Sequence, residues 1–71
     1  MQTATTAGDR IRRTRRNLGL TQTELGELAG VVPSTISQIE TGERQGHPAT
    51  LKAIADALGC TVADITEAVK S

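Results

Sequence analysis

No phenylalanine, tyrosine or tryptophan occurs among the 71 residues. The core must therefore be aliphatic, assembled from Leu, Ile, Val and Ala. The same absence removes the aromatic platforms on which single-stranded nucleic acids stack their bases. A single cysteine, Cys60, excludes an internal disulfide and fits a reducing compartment. The single histidine, His47, lies on a different loop, so zinc is excluded on ligand count. There are no paired carboxylates, no glycine-rich phosphate loop and no nucleophile triad, which reads as a protein that is not an enzyme and takes no cofactor. Without a long apolar run or a signal-peptide pattern, the expectation is a soluble, cytoplasmic chain with no membrane partner. At this length one small domain is expected, burying roughly 60 % of its unfolded surface, and helix packing must supply the stability.

Net charge is absent too, with eight basic residues against eight acidic ones. That balance argues against strong general affinity for polyanions, but the distribution is uneven. Residues 1–20 carry Arg10, Arg12, Arg13, Arg15 and Arg16 against Asp9, a net of +4, and residues 21–71 carry a net of −4. A solvated helix face explains many basic runs. Five arginines in seven positions, without one lysine, favour contact with phosphate or carboxylate.

What is present is organised around Thr21 to Gly42, TQTELGELAGVVPSTISQIETG. Thr21 with Glu24 three residues on is a capping box, which starts a helix over Gln22 to Ala29. Leu25, Leu28 and Ala29 give that helix an apolar stripe. Gly30 can take the left-handed conformation that ends it. Pro33 suits the first position of the next helix, whose inward stripe is Ile36 and Ile39. Ser34, Thr35, Ser37, Gln38 and Thr41 are left on its outward side. Two helices with a glycine turn of about three residues between them make a helix-turn-helix, whose second helix can enter a DNA major groove. An ordinary corner between two helices has the same period and turn. The outward side of the second helix separates the two readings. A merely solvated face carries Lys and Glu, whereas this one carries uncharged groups that can exchange hydrogen bonds with base edges and approach phosphates.

The remaining chain follows the same signals. Residues 1–5 are small and polar and are expected to be disordered. Thr6 with Asp9 starts a first helix that runs to about Leu18, with Gly19 as its stop. Ile11 and Leu18 share its inward face, and Arg15 falls on the same stripe. A buried guanidinium needs a partner, and Glu40, one residue beyond core position Ile39, is the candidate. The alternative is two independent surface charges. Glu43 to His47 is a polar loop with Arg44 as its only cation. Pro48 opens a fourth helix with Leu51, Ile54, Ala55 and Leu58 inward and Gly59 as its stop. Thr61 with Asp64 opens a last helix carrying Val62, Ile65 and Val69. The count is five helices, with no strand pattern.

These residues carry a resemblance. The stretches IRRTRRNLGLTQTELGELAGV, STISQIETGER and HPATLKAIADALGCTVADI, with their linked elements LTQ-x-EL, IS-x-IE-x-G and L-x-x-IA-x-ALG, are similar to the Cro/phage-repressor, or xenobiotic-response-element, helix-turn-helix family. The resemblance spans about Arg10 to Ile65. It implies an all-α, five-helix lambda-repressor-like DNA-binding bundle over residues 6–71. It also implies a transcriptional regulator of the repressor type that binds double-stranded DNA, usually as a symmetric dimer on a palindromic operator. By the same resemblance Pro33, Ser34, Ser37 and Gln38 read bases. Gln22, Thr21, Thr35, Thr41, Arg44 and Arg10 meet the DNA backbone, and Arg15 and Glu40 form the family's helix-joining ion pair.

Three departures qualify it. Val32 stands where the family often has a Ser or Thr cap, and losing such a cap typically costs ~1 kcal/mol. Pro33 replaces a polar base-facing residue and can offer only apolar contact, for example to a thymine methyl. The loop from Glu43 to His47 has little positive charge. Cys60, after Gly59, reads as a small core residue, and His47 as a solvent-facing cap or phosphate neighbour. Two other functions fit the same fold. One is an antitoxin or other protein-interaction module, with a toxin or a larger complex as partner. The other is a structural bundle without ligand. A homodimer is expected to use the last helix through Val62, Ile65, Ala68 or Val69.

Overall fold

The computed structural model describes residues 6–66. The expectations for residues 1–5, Ala68 and Val69 lie outside them. Five helices follow one another: α1 Ala7–Asn17, α2 Gln22–Ala29, α3 Pro33–Thr41, α4 Pro48–Leu58 and α5 Val62–Thr66. No strand occurs among the described residues. Capping boxes open α1 and α2: the Thr6 hydroxyl accepts from the Asp9 N–H at 3.1 Å, and the Thr21 hydroxyl accepts from the Glu24 N–H at 3.0 Å. The same exchange before α5 joins Thr61 and Asp64 at 3.0 Å in both directions. Each box satisfies backbone donors that a helix start otherwise leaves unpaired.

The core is aliphatic. Ile11, Leu25, Ile36, Ile39, Ile54, Ala55, Leu58 and Ile65 are buried together, one to three from each helix, with Cys60 half-buried against them. Burial raises the Cys60 thiol above its ordinary pKa, which leaves it protonated and unreactive at neutral pH. α2 packs on α3 and α4, and α1 lies across α3 and α5. The approach of α1 to α3 is made by Gly8. A Cβ there would collide with the carbonyl oxygens of Ile39 and Glu40, so the two backbones meet directly.

Two expected core positions are corrected. Leu18 is 53 % exposed. It is the C-cap of α1, one residue past the helix, and its backbone N–H closes the last turn onto Thr14 and Arg15 while Gly19 reverses the chain. Leu28 is 62 % exposed. The inward arc of α2 runs through Leu25, Gly26 and Ala29, because Gly26 lets the Val31 carbonyl press against the helix. Leu28 lies on the far side of Leu25 from Gly26 and falls outside that arc.

Candidate nucleic-acid interface

The turn between α2 and α3 sets the geometry. Gly30 has φ 73° and ψ 32°, in the left-handed region that favours glycine, and the Val31 N–H returns to the Gly26 carbonyl at 2.9 Å. Val32 then enters α3 in extended conformation with Pro33 at the helix start. Val32 supplies no side-chain cap and is 61 % exposed.

α3 buries Ile36, Ile39 and Glu40 and turns its opposite side outward. Pro33, Ser34 and Thr41 are exposed, and Thr35, Ser37 and Gln38 are half-buried. This ridge is short and carries no charge. At its far end the Gln38 carbonyl accepts from the Thr41 hydroxyl at 3.2 Å and from the Arg44 backbone N–H at 3.2 Å. The helix is thereby tied to the loop that presents the exposed Arg44 side chain.

Behind the ridge lies a buried ionic network. Arg15 is 7 % exposed and Glu40 4 % exposed. Arg15 Nε donates to Glu40 Oε2 at 2.7 Å and Nη2 to Oε1 at 3.0 Å, a bidentate pair. Nη1 donates to the Leu20 carbonyl at 2.8 Å, in the turn before α2. Gln22 Nε2 adds a bond to Glu40 Oε1 at 3.1 Å. One cluster thus fixes α1, the start of α2 and the end of α3 relative to one another. The hydrogen bond to Glu40 raises the Arg15 guanidinium above its ordinary pKa, against the lowering effect of burial, so the guanidinium stays charged.

At the start of α2, Thr21 already accepts from Glu24, which leaves its hydroxyl proton free to donate. Gln22 is turned inward by Glu40 and keeps one amide N–H for an outside acceptor. Arg10 has a structural engagement that the sequence did not suggest. Its Nη1 donates to the Asp64 carbonyl at 3.1 Å, and its Nε is enclosed without a partner. The guanidinium staples α1 to α5. It also helps to lower the Asp64 carboxyl, whose depressed pKa comes first from the Thr61 backbone and hydroxyl hydrogen bonds. His47 is the exposed N-cap of α4 and makes no side-chain cap bond. Among the described residues no helix is long and apolar enough to cross a membrane, and no three metal-ligating side chains converge.

Comparison with known proteins agrees with this geometry. A family profile described as "Helix-turn-helix domain" matches residues 6–68. Curated protein sequences give no match. Among solved structures, the P22 c2 repressor in complex with a synthetic operator is 33 % identical, with a TM-score of 0.85 over 89 % of this chain and 96 % of that one. The restriction-modification controller protein C.AhdI from Aeromonas hydrophila is 28 % identical, with a TM-score of 0.82 over 86 % and 92 %. The N-terminal DNA-binding domain of SinR from Bacillus subtilis is 30 % identical, with a TM-score of 0.77 over 83 % and 87 %. This fold points to a DNA-binding regulator rather than an enzyme. The family profile covers nearly the whole chain, and the chain belongs to the helix-turn-helix family of Cro and phage repressors, DNA-binding regulators of transcription.

Proposed function

We propose that the chain is a sequence-specific, repressor-like regulator that lays α3 in the major groove of double-stranded DNA. The observation that carries this reading is the outward α3 ridge: uncharged, rich in hydrogen-bonding groups, with Pro33, Ser34 and Thr41 exposed and Thr35, Ser37 and Gln38 half-buried. Ser34, Ser37 and Gln38 read base edges, and Pro33 offers apolar contact to a thymine methyl. Gln22, Thr21, Thr35 and Thr41 position the helix against the backbone, and Arg44 adds a phosphate contact. The engagement of Arg10 with α5 favours a structural task for that residue. The protein is not an enzyme, takes no cofactor and works in the cytoplasm.

One module of this size covers only a few base pairs. Useful specificity needs two copies about one DNA turn, ~34 Å, apart, so the target is a palindromic operator bound by a homodimer. Selection of bound duplexes from a random pool tests both claims at once, because it reports the half-site and its spacing. Gln38→Ala should then lose ~1–3 kcal/mol at the selected site and relax one base position. An unaltered selected sequence in that variant overturns the base-reading role.

A further inference from the structure

The five arginines of the first helix divide into two groups. Arg15 and Arg10 are consumed within the fold, by Glu40 and by the Asp64 carbonyl. Arg12, Arg13 and Arg16, with Asp9 and Asn17, line a shallow depression of about 450 Å³ on the outer face of α1. Only Arg12 has a carboxylate there, Asp9 at 3.2 Å. Among the described residues Arg13 and Arg16 form no ion pair, and both are exposed. Folding gains nothing evident from the cluster. Like charges four apart, as Arg12 and Arg16 are, weaken a helix. The helix dipole favours Arg16 in the last turn but not Arg12 or Arg13 further back.

Direction matters as much as charge. The buried side of α1, Gly8, Ile11 and Arg15, lies against the Ile39–Glu40 side of α3, which is opposite the Ser34–Gln38 ridge. From the centre of that buried arc, Arg13 lies roughly 170° around α1, on its reverse side, and Arg16 roughly 110°, on the flank next to it. With α1 packed on the side of α3 opposite the ridge, the Arg13 side of α1 and the ridge face away from each other. A duplex seated on α3 leaves Arg13 facing away from it.

We propose that the outer face of α1, through Arg13 and Arg16 with Arg12 at its edge, is a second and sequence-independent binding surface for the phosphate backbone of another DNA duplex segment. Charge complementarity selects the occupant. Unpaired guanidiniums with an amide beside them match phosphate oxygens, and arginine binds these in a planar, two-pronged fashion. The inference rests on the DNA-binding reading but not on which residues of α3 read bases. Such a surface lets one regulator hold two stretches of DNA together.

The test is a titration of isotope-labelled protein with a duplex of about 12 base pairs, roughly one helical turn, drawn from the pool-selected sequence. Two phases are expected. Amide resonances of α3 shift up to equivalence. The Nε–H resonances of Arg13 and Arg16 shift only with excess duplex, and they return when salt is raised from about 50 to about 200 mM. Arg13→Gln with Arg16→Gln should erase the second phase and leave the first. Arginine signals that move in step with α3 mean one interface and overturn the proposal, as do arginine signals that stay fixed at every ratio. Arginine shifts with an unmoved α3 uphold the α1 surface and instead overturn the major-groove reading.

Discussion

At the scale of single residues, the molecule depends on a charge it has buried. Glu40 accepts two bonds from Arg15 and one from Gln22, and so connects the backs of three helices. Breaking a buried pair strands a charge and typically costs about 3–5 kcal/mol, whereas replacing both partners by apolar groups of similar volume is often neutral. Arg15→Met should therefore lower stability to chemical denaturation by about that amount, and Arg15→Met with Glu40→Leu should recover most of it. A double variant as unstable as the single one contradicts this account. A second residue gives a pH dependence. The Asp64 carboxyl is held below its usual range by Thr61. A depressed folded pKa contributes stability that is present at neutral pH and lost as pH falls through the folded value. The thermal midpoint of Asp64→Ala should lie below wild type at pH 7, and the gap should close below about pH 4. Both residues show what could be read in the chain. Arg15 on an inward stripe and Glu40 beside Ile39 each look misplaced alone, and the demand for a partner matches them. Arg10 gave no such signal, because its partner is a main-chain carbonyl, which every residue has.

At the scale of elements, helix starts and stops were legible because they depend on local hydrogen bonding. Thr-x-x-acid boxes and glycine stops sit where the periodicity placed them, within a residue. The inward faces were less legible. Apolarity marked Leu18 and Leu28 as core, but burial is decided by which neighbour arrives. At Gly26 the neighbour is a carbonyl that needs space, not a side chain that needs oil. The same reasoning yields a gain. α3 starts at Val32 without a side-chain cap. Val32 is largely exposed, so Val32→Ser forfeits little packing and should raise stability by about 1 kcal/mol. Thermal denaturation measures it directly, and no gain would mean that the first turn of α3 is already satisfied by water.

At the scale of the whole molecule, a net charge of zero conceals a polarised object. The exposed Arg44 stands at the end of the ridge in a loop that also contains Glu43. Removing one phosphate contact lowers the salt dependence of DNA affinity by a slope of about 1 and weakens all sequences alike. Arg44→Ala should behave so, as measured by affinity against salt concentration for selected and random duplexes. A change of sequence preference instead would transfer Arg44 to the base-reading set. Fold and family were readable from the sequence because they follow from periodicity and motif spacing over nearly the whole chain. The engagement of Arg10 was not, because it depends on where α5 comes to rest.

The Gly8 crossing has one more consequence. Where main chains touch, the distance between helices is set by the radii of peptide atoms, which are identical in every protein. The aliphatic residues beneath can then be exchanged at constant volume without re-aiming the surface that α3 presents. The interior is thus free to change while the outward face of α3 keeps the same tilt, and a single methyl at position 8 is enough to end that freedom.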